Sequence, residues 1–491
     1  MYYIGIDLGT SSLKMLLLDG QGTICGEVTH DYPLEFPRPG WSQQNPAHWW
    51  KAVKAGMPAL LSGIDAVQVA GIGVAGQMHG LVVLDKDDRV IRPAILWNDG
   101  RTASQVDYLN NVIGKNRLSE LTANIAFAGF TAPKLLWMRE NEPENFGRIA
   151  KIMLPKDYVN YLLTGVHACD YSDASGMLLL DVANKCWSKE MLELCGVSEE
   201  QMPALFESYE CIGTLKPEIA AELGLPAAVR VCAGAGDNAA AAVGTGVVGQ
   251  GGCNISLGTS GTVFISSAHF GVDSTNALHA FAHADGGWHL MGCMLSAASC
   301  SKWLLEDILG TRDYAAEQSP ITDDKLGHNH VFFLPYLMGE RSPINDTNAR
   351  GAFLGITMDT SRSDLVQAVL EGVAFAIRDS VEVARSLGIT IDSSMICGGG
   401  AKSPLWKKIL ANVLGAELRA PASEQGPGMG GAMLAMVACG AYPTVRAACD
   451  AIVSLSETVK PEPELTARYE HRYQQFRKIY PNLKHLFPEI Q

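Results

Sequence analysis

The stretch Ile6-Asp7-Leu8-Gly9-Thr10-Ser11-Ser12-Leu13-Lys14-Met15 returns in outline in the second half of the chain as Ser256-Leu257-Gly258-Thr259-Ser260-Gly261-Thr262-Val263-Phe264. In each copy an apolar run meets a Gly-Thr-Ser turn and then a second apolar run, which spells strand, tight turn, strand. Residues 2–8, residues 14–18 and a third extended run from Thr23 make one ribbon, and residues 253–257 and 262–266 make the other. A repeated unit of this kind constrains the chain to two related halves. The 491 residues leave room for two to four domains.

Around the ribbons, apolar runs at 67–75, 80–84 and 90–97 predict further strands. Helical spacing at 132–140, 296–309, 363–387, 403–414 and 428–438, with glycine stops after several of them, predicts helices between strands. The alternation is that of an α/β fold. The expected division is an N-terminal domain over 1–246, a C-terminal domain over 247–442 and a helical tail over 443–491 packed on the body. The glycine-dense residues 244–252 at the junction read as a hinge or as an ordinary turn. In the tail, Tyr469, Tyr473, Phe476 and Tyr480 recur at helical spacing, which suits a closing helix or a partner-binding element.

With 47% hydrophobic and 18% charged residues the chain can build a core, which excludes disorder for most of it. A net charge of −14 without a basic block argues against nucleic-acid or anionic-membrane partners. The longest stretch lacking Asp, Glu, Lys and Arg, residues 238–272, carries too many polar residues for a membrane span. Twelve scattered cysteines with no CxxC pair favour reduced thiols and a cytoplasmic protein, and Asp7 falls where an export signal would need an apolar core.

A phosphate needs several N–H donors at close range, and a glycine turn lets the backbone approach it. Thr10 and Ser11 in one hairpin, and Gly258, Thr259 and Ser260 in the other, offer such donors together with hydroxyls. Asp7, at the end of the first strand, could hold Mg²⁺ through water. A third glycine cluster, Cys397-Gly398-Gly399-Gly400-Ala401-Lys402-Ser403, opens a helix, and Gly399 and Gly400 suit the flat ring of an adenosine. No Walker or dinucleotide motif accompanies these turns.

Asp237 ends a strand and begins an alanine-rich helix, so it reads as an N-cap or as a general base. Gln77, Met78 and His79 lie between glycines in an otherwise apolar hairpin, as a recognition loop or as core residues. Asp99 and Arg101 suit a structural ion pair or a ligand contact, and Glu340 and Arg341 suit a loop latch.

Together these residues resemble the FGGY carbohydrate kinases, which belong to the larger group sharing the actin, Hsp70 and hexokinase nucleotide fold. The resemblance rests on the first hairpin, on Gly129-Phe130-Thr131-Ala132-Pro133-Lys134-Leu135-Leu136-Trp137, and on Gly351-Ala352-Phe353-Leu354-Gly355-Ile356 through Leu370-Glu371. Gln77-Met78-His79, Leu154–Tyr158 and the segment around Asp237 are most similar to members acting on D-xylulose. The resemblance implies two ribonuclease-H-like domains flanking a central cleft, and ATP- and Mg²⁺-dependent phosphorylation of the sugar's terminal hydroxyl. Ribulose, glycerol and gluconate are the alternative substrates, and a nucleotide-gated sugar-binding protein is the non-catalytic one. It further implies Asp237 as catalytic base and sugar contact, Gln77, Met78 and His79 at the sugar, Asp7 beside the metal-nucleotide, the two hairpins at the phosphates and Gly399 and Gly400 at the adenosine. A homodimer is the family's expected assembly.

Overall fold

A computed structural model describes residues 1–423 and 425–490. Its two central sheets repeat one plan. In the first, Tyr2–Leu8 pairs antiparallel with Ser12–Asp19, which pairs antiparallel with Ile24–Asp31. On its other side Tyr2–Leu8 lies parallel to Val69–Gly76, followed by Arg230–Cys232 and an edge strand, Cys211–Thr214. In the second, Cys253–Leu257 pairs antiparallel with Gly261–Ser267, which pairs antiparallel with Trp288–Met294 and then His279–Ala282. On its other side it lies parallel to Ser393–Cys397, then Glu417–Pro421. An antiparallel run of three strands in one sheet and four in the other, each followed by parallel additions, bears out the expected pair of related α/β domains.

In the first sheet the central strand with parallel neighbours on both sides has both of its faces covered. Val69–Gly76 is buried along nearly its whole length. Helices supply the cover. Arg362–Ser386 starts with a capping box in which Ser361 and Asp364 satisfy each other's backbone N–H groups. It is buried on every side from Val366 to Arg378 and only beyond that along one face, through Ser380, Val381 and Ala384.

The helix Gly426–Ala438 comes after Glu417–Pro421 of the second sheet in sequence, yet it lies against Tyr2–Leu8, Val69–Gly76 and the helix Asp237–Gly244 of the first lobe. Its run of glycines explains how. A Cβ on Gly5 would sit 1.9 Å from the Gly428 carbonyl oxygen, and one on Gly73 would sit 2.0 Å from that of Gly431. Helix and sheet therefore touch backbone to backbone, a closeness that only glycine permits. This seam fastens the second half of the chain onto the first sheet.

Three local expectations need correction. Residues 90–97 do not form a strand of that length: Val90 makes a single bridge to Leu84 and Ala94–Ile95 pairs with Gln43–Gln44, the two separated by Pro93, which has no N–H to give a ladder. Residues 296–309 begin their helix at Ala298 and continue as a wider π-type helix, Trp303–Ile308. The segment 443–491 is not wholly helical. Leu455–Val459 adds an antiparallel edge strand to the second sheet, and its short, exposed, polar sequence carries no apolar alternation to announce it. Beyond it the helix Pro463–Phe476 buries Leu465, Tyr469, Tyr473 and Phe476 against the body. The Tyr469 hydroxyl donates to Glu371 at 3.0 Å, and Arg472 pairs with the same carboxylate at 2.9 Å. At the junction, Gly246, Gly249 and Gly251 all take positive φ, forming a tight glycine turn.

Candidate active site

The first hairpin is closed by Gly9 N–H donating to Ser12 O at 3.0 Å, and the Tyr32 hydroxyl caps the carbonyls of both Gly9 and Ser12. Thr10 is partly buried and its hydroxyl accepts from Trp97 Nε1 at 3.0 Å, whereas Ser11 is exposed. The second hairpin leaves Thr259 and Ser260 exposed. Its carbonyls are anchored from behind, Gly258 O accepting from Ala298 N at 2.8 Å and Thr259 O from Ala297 N at 3.0 Å. Bound from below, each turn keeps its hydroxyl-bearing residues at the surface.

The third glycine cluster abuts the second hairpin. Gly398, at φ 90°, lies so close that a Cβ would fall 2.7 Å from the Leu257 carbonyl, whereas a Cβ on Gly399 would meet nothing within 4 Å. The two segments line one cavity of ≈ 930 Å³, with Gly258, Thr259, Gly399 and Gly400 on one side and Lys302, Tyr314 and Gln318 on the other. Such a volume suits a small-molecule ligand. The last three residues sit in no recognisable motif, and only the fold brings them there. The first hairpin is not part of that lining. It groups instead with Asp7, Gln77 and Asp237.

Asp237 is the first residue of its helix, with Gly236 at the cap position. The N-cap reading therefore does not hold. Its Oδ1 accepts from the backbone N–H of Asn238 at 2.7 Å and from Asn238 Nδ2 at 3.1 Å. The residue is only partly buried, yet the surrounding protein withdraws enough water from its carboxyl to push its pKa up to about 7, with the charge of Asp7 adding to the rise. Asp7 is itself raised to about 6, by desolvation against the pull of Lys14. Two carboxyls poised near neutrality in one cleft are the arrangement acid–base chemistry requires.

His79 has a left-handed backbone, φ 69°, held from behind by two donors to its carbonyl, Thr131 Oγ1 at 3.0 Å and Lys134 Nζ at 2.8 Å. Lys134 is fully buried, and loss of solvation lowers its pKa to about 7. Imidazole Nδ1 lies 2.7 Å from Gly176 O. A carbonyl can only accept, so Nδ1 carries the proton and Nε2 keeps its lone pair. Burial holds the ring's pKa down to about 3, which keeps it neutral. A neutral ring with a free Nε2 can accept from a hydroxyl. Phe130 at 4.8 Å and Phe281 at 6.4 Å wall the ring, and His279 stacks on Phe281.

Gln77 and Met78 are both turned inward. Gln77 is 1% exposed and gives its side-chain amide to Gly9 O at 3.2 Å, while its N–H goes to Leu8 O at 2.9 Å. It therefore ties the loop to the first hairpin. Met78 is 4% exposed and packs against Gly236, beneath Asp237. Asp99 and Arg101 form a fully buried ion pair at 2.7 Å, the structural alternative. Glu340 accepts from Leu295 N at 2.8 Å, bracing the segment behind the second hairpin as a latch would.

The two lobes match family models in turn. The model of the FGGY family of carbohydrate kinases, N-terminal domain, covers residues 2–244, and that of its C-terminal domain covers 253–439. The chain belongs to the FGGY family of carbohydrate kinases. Among FGGY kinases, a xylulose kinase of Escherichia coli (strain K12) is 42% identical over 98% of this chain and 99% of its own length. The crystal structure of a xyloylose kinase from Brucella ovis superposes with a TM-score of 0.93 at 41% identity, covering 99% of this chain and all of that one. A gluconate kinase from Lactobacillus acidophilus reaches the same TM-score at 24% identity, covering 100% of this chain and 99% of its own. This FGGY fold therefore does not by itself choose the sugar.

Proposed function

We propose that this FGGY kinase transfers the γ-phosphoryl group of ATP to the terminal hydroxyl of D-xylulose. The observation that carries the chemistry is Asp237: a carboxyl on a partly exposed residue, poised near neutrality and coupled to Asp7 of the first hairpin's strand. The choice of sugar is supported by the xylulose kinase of Escherichia coli at 42% identity over nearly the whole of both chains.

The residues fit a magnesium–nucleotide. Gly398, Gly399 and Gly400 make a cradle in which Gly399 has open space where a Cβ would stand, suited to the adenosine. The exposed hydroxyls of Thr259 and Ser260, with Thr10 and Ser11 opposite, suit the phosphates. Among the described residues no three His, Cys, Asp or Glu side chains converge as a metal cage. Asp7 would thus hold Mg²⁺ through water, in keeping with an ion that retains hydration and phosphate oxygens. When bound, the metal-nucleotide supplies the transferred group and offsets its charge.

The chain's own residues do the rest. Transfer asks for alignment and charge stabilisation. His79 Nε2 accepts from a sugar hydroxyl and so orients the ring or chain of the substrate. Asp237 accepts the proton of the attacking hydroxyl, or fixes its direction if bond cleavage runs ahead of attack. In this reading the first lobe holds the sugar, the second holds the nucleotide, and closure between them excludes water, a smaller competing nucleophile. No helix of the described residues is long and apolar enough to cross a membrane. The twelve free thiols suit a cytoplasmic setting.

A coupled ADP assay across D-xylulose, D-ribulose, glycerol and gluconate tests the proposal. D-Xylulose should give the highest kcat/KM. Preference for another sugar would overturn the substrate assignment, and no sugar-dependent ADP release from a folded, ATP-binding sample would overturn the kinase reading.

A further inference from the structure

Behind the site, one buried carboxylate oxygen gathers the backbone that carries Asp237. Asp170 Oδ2 accepts from the hydroxyls of Ser172 at 2.5 Å and Ser208 at 2.7 Å, and all three residues are at most 1% exposed. Ser172 has thereby committed its proton, and its oxygen accepts in turn from the N–H of Gly236 at 3.2 Å. The carbonyl of Ser208 accepts from the N–H of Gly234 at 3.0 Å. Both glycines that lead into Asp237 thus hang from one node.

That node is bridged by Lys156, which is fully buried and pairs with Asp170 Oδ1 at 2.8 Å and Asp157 at 2.6 Å, with a third buried carboxyl, Asp173, at 3.8 Å. Lys156 also fills the space beside Gly76, where a Cβ would meet its own at 2.8 Å. From the opposite side Gly236 is pressed by Met78, whose Cγ would lie 2.9 Å from an added Cβ. The peptide before Asp237 is therefore fixed between a thioether on one face and a polarised hydroxyl on the other. A carboxylate, a serine hydroxyl and a main-chain N–H in series transmit the orientation of a buried ion pair to the next residue, as outer-shell groups do around other reactive side chains.

We propose that Ser172 is a positioning residue for Asp237, holding the carboxyl in line with the sugar hydroxyl through the Gly236 peptide. The proposal rests on Asp237 being the base. Ser208 supplies an internal control: Ser208→Ala removes an equivalent bond to Asp170 while its main-chain bond to Gly234 survives.

The test compares steady-state kcat, KM for ATP, the pH profile of kcat/KM and melting temperature for Ser172→Ala, Ser208→Ala, Asp237→Asn and the double variant Ser172→Ala/Asp237→Asn. Ser172→Ala should lower kcat about tenfold or more, move the acid limb of the profile and leave KM for ATP within about twofold. Ser208→Ala should lose similar thermal stability with kcat within about twofold. In the Asp237→Asn background, Ser172→Ala should cost nothing further. Equal losses of kcat in the two serine variants, or additive losses in the double variant, would overturn the positioning role. A near-normal Asp237→Asn enzyme would instead overturn the base assignment. Should Ser172→Ala fail to fold, Ser172→Cys keeps the volume with a weak acceptor in place of the hydroxyl; wild-type kcat there would overturn the proposal.

Discussion

Gln77 donates its side-chain amide to the carbonyl oxygen of Gly9 at 3.2 Å, across 68 positions of sequence. The loop that presents His79 and the turn that presents Thr10 and Ser11 are joined by this bond and by Gln77 N–H to Leu8 O at 2.9 Å. Movement of one must move the other.

Gln77→Ala should therefore weaken both ligands together, raising KM for sugar and for ATP by several-fold each and lowering stability by about 1–2 kcal/mol for the lost buried bond. Initial-rate kinetics against each substrate, with a denaturation curve, check this. A rise in sugar KM alone would instead place Gln77 at the sugar.

His79→Asn keeps a side chain that tolerates the left-handed backbone at φ 69° but cannot present a lone pair at the place of Nε2. It should raise sugar KM by ~10-fold or more, with KM for ATP unchanged, because a site built around one hydroxyl loses that contact.

The pH dependence follows from the two carboxyls. Asp237, raised to about 7, and Asp7, raised to about 6, both become ionised as pH rises. Activity measured as kcat/KM should climb between about pH 6 and 8 and level off. His79, held near 3, adds no limb in that range. The sign for stability is opposite. A carboxyl whose folded pKa lies above its unfolded value near 3.8 binds its proton more tightly in the folded state. Its contribution to stability is present below pH 4 and is lost as pH rises through about 7. Asp237→Asn should accordingly raise the melting temperature, more at pH 8 than at pH 5.

Neighbouring glycines should answer differently to the same change. A methyl on Gly398 drives into Leu257 O, so Gly398→Ala should cost stability and loosen the second hairpin. Gly399→Val meets open space and should fold normally while raising KM for ATP alone. Paired thermal melts and nucleotide titrations separate the two. A Gly399→Val enzyme with unchanged ATP affinity would remove that glycine from the nucleotide site.

Much of this arrangement was legible in the residues because backbone geometry writes itself into glycine. The echo between the hairpins at Gly9 and Gly258 predicted two sheets of one design, and both are present. What was not legible depends on contacts distant in sequence. The spacing over 428–438 predicted a helix but not that its glycines would lie on Gly5 and Gly73 of the other lobe. For Gln77 and Met78 the flanking glycines left a recognition loop and a core position both open, and only the fold shows that both side chains turn inward. Lys302, Tyr314 and Gln318 had no local signal, since only tertiary packing brings them opposite Gly399.

Asp237 is the residue on which the proposed transfer turns. Single-turnover transfer by Asp237→Asn, with saturating Mg-ATP and sugar and folding verified by thermal melt, is the most direct measurement. The account predicts a fall of ~10²–10⁴-fold with ATP binding retained. A rate close to that of the unaltered protein would contradict it.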